Sequence, residues 1–209
     1  MTSNTSSRVT PRPSELPDAK RDAIRAFEVL KNGGVIIGPT DVGYGMMAAS
    51  VDAIERIFTA KRQLGLTVAF VGKMKESAAE LIPNVERVVK NGTLGFAIGE
   101  GPFSRELSRL NDENGLVMVG SSANLTDQGQ KFRVEDIEPE IIKAADLVVN
   151  YGRQKWHLYG RAGTILDLDN ERVLRIGANY ENIRERLIDC LDGLTVGSSI
   201  KTSSDSRNL

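Results

Sequence analysis

Hydrophobic positions along the chain switch repeatedly between helical and strand-like spacing. Residues 18 to 32 place Ile24, Phe27 and Leu30 on one face at helical period, and Gly33-Gly34 then ends the helix. The run "VIIG" at 35–38 is apolar throughout, which predicts a strand buried on both faces. Ser50 is placed to cap a helix carrying Ile54, Ile57 and Phe58. "LTVAFVG" reads as the next strand, followed by helical turns around 76–90, the strand "LGFAI", and a short helix at 103–111. "LVMVG", a helix near 134–145, and the strands "DLVVN", "GTILDL" and "RVLRI" come next. An amphipathic helix with Ile183, Leu187 and Leu191 closes the pattern.

This interspersal predicts a single α/β domain without internal repeats, built on one twisted mixed sheet with flanking helices. That sheet is expected to carry Val35–Gly38, Leu94–Ile98, Leu116–Val119 and Thr164–Leu168. The domain should run from 18 to 192. Residues 1–17 and 193–209 are rich in Ser and Thr and poor in large apolar residues, so they read as a disordered arm and tail.

Composition narrows the function. In 209 residues, 40% are apolar and 26% charged, as in ordinary globular proteins. A net charge of −1 speaks against nucleic acid as a bulk partner, although Arg153, Lys155 and Arg161 form a local basic cluster. One cysteine, Cys190, excludes a disulfide framework and a thiolate metal site. One histidine, His157, argues against His-cluster metal sites and a Ser-His-Asp triad, so no metal ligands are assigned. No run is long and apolar enough to span a bilayer, and the N-terminus shows no signal-peptide core; the expectation is a cytoplasmic protein with a small-molecule substrate.

Five segments carry candidate chemistry. "GGVIIGPTDVGYGMMAAS" runs a strand into a turn holding Thr40, Asp41 and Tyr44, where open α/β folds bind ligands; a tight loop needing glycine is the competing explanation. Lys61 lies seven residues after Ile54, beside the apolar face, where it either reaches an anion over the sheet end or complements the helix dipole. "VGSSANLT" sets Ser122 and Asn124 at a strand end, as ligand contacts or as a simple turn. Arg175 ends the strand "RVLRIGAN" before Gly177, and arginine is the usual bidentate partner of phosphate or carboxylate. "GRQKWHLYGR" concentrates Trp156, His157 and Tyr159, as a lid over a pocket or a structural anchor.

In order, these segments resemble the YrdC family, the threonylcarbamoyl-adenylate synthases, whose fold is shared with dihydroxybutanone-phosphate synthase. "GGVIIGPTDVGYGM" is similar to the family's P-T-D-T-x-Y-G-L turn and "IERIFTAKRQ" to its I-x-x-x-K-x-R helix. "VGSSANLT" is similar to its S-A-N-x-S segment, and "AGTILDL" and "VLRIGA" to its S-T-I-V-D and R-x-G-A strands. The resemblance covers about residues 20 to 185. It implies a nucleotide-binding transferase that takes ATP with Mg²⁺, bicarbonate and L-threonine and makes threonylcarbamoyl-AMP. By position it implies Thr40 at the small-substrate end, Lys61 on the triphosphate, Ser122 and Asn124 on phosphate or sugar, and Arg175 on the far side.

The chain departs from that pattern. Val42 replaces the turn's second threonine, and Arg62 stands one place early, with Gln63 at the expected arginine position. One residue along a helix turns a side chain by about 100°. Ala97 and Gly99 replace an arginine and a proline, Gly163 replaces a serine, and the P-G-P-x-T segment has no counterpart between Ile82 and Gly92. Each lost charged contact to phosphate removes roughly a few kcal/mol. A repurposed enzyme without ATP is therefore an equal expectation: Asp41, Lys61 and Arg175 would act as acid, base and carboxylate clamp, with Thr40, Tyr44, Trp156 and Tyr159 against a small polar or carboxylate substrate. A non-catalytic binder of RNA or protein is the third.

Overall fold

The structure, a computed structural model, describes residues 9–10, 16–62, 70–73, 93–95, 101–167 and 172–191. Five strands form one hydrogen-bonded sheet: β1 (Val9–Thr10), β2 (Val35–Pro39), β3 (Tyr44–Ala48), β6 (Val119–Ser122) and β7 (Leu147–Val149), in the order β1-β7-β2-β3-β6. Four others form a second sheet: β4 (Phe70–Lys73), β5 (Thr93–Gly95), β8 (Ile165–Asp167) and β9 (Arg172–Arg175), in the order β5-β4-β8-β9. Both are mixed. In the first, β2 runs parallel to β7 and antiparallel to β3; in the second, β4 runs parallel to β8 and antiparallel to β5. The described helices are α1 (Ala19–Lys31), α2 (Val51–Lys61), α3 (Pro102–Glu113), α4 (Pro139–Ala144) and α5 (Tyr180–Leu191).

Strand β2 is apolar throughout because helices cover both of its faces. Val35 and Ile37 point to one side, where Met46, Ala53, Ile57 and Ile141 pack from β3, α2 and α4. Ile36 points to the other side, among Ala26, Phe27, Leu30, Phe103 and Leu107 of α1 and α3. Period-two alternation sends neighbouring residues to opposite layers, so a doubly covered strand has no polar positions. The layers close tightly: a Cβ at Gly38 would sit 2.8 Å from the Phe103 ring. The start and stop signals act as expected. Ser50 Oγ accepts from Ala53 N at 3.3 Å to begin α2, and Gly33, at φ 76°, ends the turn after α1.

The α/β architecture of mixed sheet and flanking helices is the expected one; among the described residues the strands fall into two hydrogen-bonded sheets. Of the anticipated strands, 35–38 falls in β2 and Val119 of 116–119 opens β6, both in the first sheet; Leu94–Gly95 and Ile165–Asp167 fall in β5 and β8 of the second, while 96–98 and 168 lie outside the described residues. Strand β3 was not anticipated. "YGMMA" lacks β-branched residues, and only its antiparallel register with β2, Val35 to Ala48 through Pro39 to Tyr44, reveals it. Strand β6 begins three residues later than the apolar run "LVMV" suggests. The helix expected over 134–145 is a 3-10 turn at Val134–Asp136 followed by α4. Pro139 excludes helical backbone in the residue before it and restarts the helix at its own first position. Within the segment read as an N-terminal arm, Val9–Thr10 pairs in parallel with β7. The turns expected at 76–90, the rest of 1–15 and the tail 193–209 lie outside the described residues.

Tyr44, the first residue of β3, ties the sheet to the loop after β7. It is fully buried, and its hydroxyl donates to Gly152 O at 2.7 Å and accepts from Tyr151 N at 2.9 Å. Burial pushes the phenol up to about 12. Tyr44→Phe leaves both backbone groups without this partner and should lower the unfolding free energy by about 1–3 kcal/mol, read from urea denaturation with an unchanged slope. An unaltered midpoint would remove Tyr44 from this structural role.

Candidate functional site

The β2–β3 hairpin tip is a closed turn. Thr40 N donates to Gly43 O at 2.7 Å; Thr40 Oγ1 donates to the same oxygen at 2.8 Å and accepts from Gly43 N at 3.1 Å. Gly43 must be glycine, because a Cβ there would meet Gln130 Nε2 at 2.3 Å and Lys131 O at 2.5 Å. Asp41 Oδ1 accepts from Gly101 N at 2.8 Å, fastening the tip to the N-terminus of α3. Val42 lies against Gly163, where a Cβ would be 3.9 Å from its Cγ2. Gly163 O in turn accepts from Arg175 Nε at 2.8 Å. Residues far apart in sequence thus meet around one tip: Thr40, Asp41, Val42, Gly101, Gly163 and Arg175.

Arg175 is half-buried and makes no ion pair among the described residues. Loss of water around the guanidinium lowers its pKa from the usual arginine range. A cation held in this way is primed for an anion, because attraction strengthens where water is excluded.

On the other side of the tip, Gly45 pairs in register with Ser122. Lys61, the last residue of α2, is only 2% exposed, and its Nζ donates to Ser122 O and to Asn124 O, the latter at 2.7 Å. Its own carbonyl accepts from Thr126 Oγ1 at 2.9 Å, so one lysine pins the loop at both ends. Burial brings the ammonium down to about 8, with attraction from Glu138 working the other way. Asn124 is buried and donates to Leu125 O, while Asn124 Oδ1 and Ser121 Oγ lack hydrogen-bond partners in the described structure. Ser122 is half-buried, and no described contact occupies its hydroxyl.

Several site expectations change. Lys61 faces two backbone carbonyls, not an open anion site, because the helix end runs beneath the loop after β6. Tyr44 is a core residue. Thr40 spends its hydroxyl closing the turn, and Asp41 braces α3. Arg62 adopts a left-handed φ of 53° and pairs with Glu140 at 3.2 Å on the surface, away from the tip. Trp156 and Tyr159 meet edge to face at 5.7 Å, but the cavity beside Trp156, about 480 Å³, is lined by Asn179, Asn182, Glu185 and Arg186, not by the tip. The tip contacts of Gly101, Gln130 and Gly163 were not foreseen; glycines where backbones approach were their one signal in the sequence. Gln63, Ala97, Gly99 and the segment from Ile82 to Gly92 lie outside the described residues.

The two mixed sheets with flanking helices and the glycine-bearing hairpin tip make an α/β domain that can be compared with known proteins. No protein-family model matches the sequence. A Methanocaldococcus jannaschii protein provisionally named a threonylcarbamoyl-AMP synthase is 23% identical over 193 residues, 78% of this chain and 88% of that protein. Structures of Pyrococcus abyssi Sua5 (TM-score 0.63, 16% identity) and Escherichia coli YciO (TM-score 0.57, 22% identity) share the fold. The alignments cover 85% and 78% of this chain; they span 62% of the Sua5 chain and 92% of YciO. The chain shares the fold of these proteins and is similar in sequence to the first at a low level.

The resemblance raises ATP with Mg²⁺. Among the described residues no group of three or more His, Cys, Asp or Glu side chains gathers to hold a metal. With Lys61 occupied and Arg62 paired elsewhere, Arg175 is the one cation at the tip without a described ion pair. The described residues therefore do not make a triphosphate site.

Lys61 has a pH signature. Its folded pKa, about 8, lies below the ordinary 10.5, so the unfolded chain binds the extra proton between these values. Stability should therefore rise with pH from about 8 to 10.5. Lys61→Met should remove that rise and cost about 1–3 kcal/mol at neutral pH through unsatisfied carbonyls. Urea denaturation at several pH values checks both; an identical pH profile in the variant would contradict the buried-amine geometry.

Proposed function

We propose that this protein binds a small carboxylate-bearing molecule at the β2–β3 tip, as a YrdC-like enzyme whose site has moved away from triphosphate chemistry. One observation carries this reading: Arg175, half-buried beside the tip and anchored through Nε to Gly163 O, has no carboxylate partner among the described residues. Its remaining guanidinium nitrogens suit a bidentate carboxylate, and Ser122 at the other border offers a hydroxyl to a second polar group. Lys61 acts as a positioning residue that holds the Ser122–Asn124 backbone, and Thr40 and Asp41 set the shape of the tip.

Two likenesses support an amino acid as the ligand class. The M. jannaschii relative carries a threonylcarbamoyl-AMP synthase name, and one P. abyssi Sua5 structure is complexed with L-threonine. That Sua5 chain is 18% identical, and this chain spans 56% of it. The family's own reaction, from ATP, threonine and bicarbonate to threonylcarbamoyl-AMP, is the second reading. The ordered motifs favour it; the buried Lys61 amine counts against it.

Titration calorimetry with L-threonine and with ATP–Mg²⁺, alongside a pyrophosphate-release assay, separates the two. L-threonine or a related small acid should bind, Arg175→Ala should weaken it about tenfold or more, and wild type should release little or no pyrophosphate. Brisk threonine-dependent pyrophosphate release by wild type, lost in Arg175→Ala, would restore the family's activity. Acid binding unchanged in Arg175→Ala would remove the proposed clamp.

A further inference from the structure

Beside Arg175 the tip presents an apolar side chain, and this bears on which acid can bind there. Gly163 joins the two. Its carbonyl accepts from Arg175 Nε at 2.8 Å. Among the described residues, a Cβ built on Gly163 would touch only Val42 Cγ2, at 3.9 Å, an ordinary van der Waals distance. The backbone here is held firmly: Gly163 bridges to Ala178, and Ala178 N donates to Ala162 O at 2.8 Å. The result is a rigid shelf with room for a methyl group over Gly163, walled by the branched side chain of half-buried Val42.

The polar side chains around this shelf are committed elsewhere. Thr40 Oγ1 donates to Gly43 O at 2.8 Å and accepts from Gly43 N at 3.1 Å and Val42 N at 3.4 Å. Thr164 is buried; its Oγ1 donates to Ala178 O and accepts from Gly177 N, both at 3.2 Å. Asp41 Oδ1 accepts from Gly101 N at 2.8 Å. A ligand hydroxyl placed on the shelf would give up water and find no described hydroxyl in exchange, which is costly. A methyl group in the same place would lie against Val42.

We infer that Val42 and Gly163 set the specificity of the acid site, selecting a small amino acid with a branched aliphatic side chain over its hydroxylated isostere. The inference rests on the reading of Arg175 as the carboxylate clamp. With the carboxylate on the Arg175 fork and the ammonium toward Ser122, the ligand side chain has Gly163 and Val42 as neighbours. L-valine and L-threonine have the same shape and differ by a methyl for a hydroxyl, so they isolate this contact. An apolar pocket disfavours an isostere carrying an extra hydroxyl by up to about 100-fold. The shelf has one apolar wall, so about tenfold is expected here.

The full chain is titrated calorimetrically with L-valine, L-threonine and L-alanine, as wild type and as Arg175→Ala, Val42→Thr and Gly163→Ala. Wild type should bind L-valine about tenfold more tightly than L-threonine. Val42→Thr keeps the shape and adds a hydroxyl to the shelf, so it should bring that ratio to about one or invert it. A purely structural role for Val42 would instead change both affinities alike. Gly163 lies outside the left-handed region and its Cβ would meet no close atom, so Gly163→Ala should unfold in urea as wild type does. By filling the shelf it should weaken L-valine about tenfold and L-alanine less. Equal affinities for L-valine and L-threonine in wild type, both lost in Arg175→Ala, would overturn the inference and leave the clamp standing. A ratio unmoved in Val42→Thr would do the same. No binding of any of the three acids, or binding indifferent to Arg175→Ala, would remove the clamp and this inference with it.

Discussion

The arrangement depends on burying a lysine. At the end of α2 the chain must pass beneath the loop after β6, and two of that loop's carbonyls point inward. A buried carbonyl without a donor is costly, and a buried ammonium without acceptors more so. Lys61 satisfies both demands at once, at the expense of a depressed pKa. With the loop held, Ser122 stays in register with Gly45 and Ala123 N reaches Tyr44 O at 2.9 Å, so β3 keeps its place between β2 and β6. The hairpin tip projects from that frame. A lysine serving as scaffold is not an open phosphate ligand, so the proposed site rests on Arg175.

Arg175 acts through contrast. Ion pairs elsewhere on the surface, such as Arg62 with Glu140, are solvent-exposed and contribute little. Arg175 instead gives one nitrogen to a backbone carbonyl, which orients the fork without neutralising it. An anion arriving there meets a partly desolvated cation at no cost in breaking an existing pair. One such group suits a carboxylate; a triphosphate needs several.

Much of this was legible in the sequence where the cause is local. "VIIG" announces a strand covered on both faces, Ser50 an N-cap, Gly33 a stop, and five ordered motifs the fold family. What was not legible depends on partners distant in sequence. Strand β3 has the composition of a loop and becomes a strand through its register with β2. The division into two sheets follows from pairings that periodicity does not encode. Lys61 was correctly placed beside the apolar face of its helix, but helical spacing cannot say that a loop some 60 residues on covers its amine. Thr40, Asp41 and Tyr44 carry the chemistry of ligand contacts and use it on their own backbone. Trp156 and Tyr159 were recognised as unusual, and the structure seats the indole on a cavity of its own.

The central claim is that Lys61 is scaffold and that half-buried Arg175 is the ligand-facing cation of the proposed site. Chemical labelling of the folded chain, lysines with acetic anhydride and arginines with phenylglyoxal, mapped by mass spectrometry, tests it most directly. Lys61 should remain unmodified at neutral pH while the exposed Lys155 reacts, and Arg175 should be modified and then protected by a bound small acid. Ready acetylation of Lys61 with Arg175 inert would contradict the account.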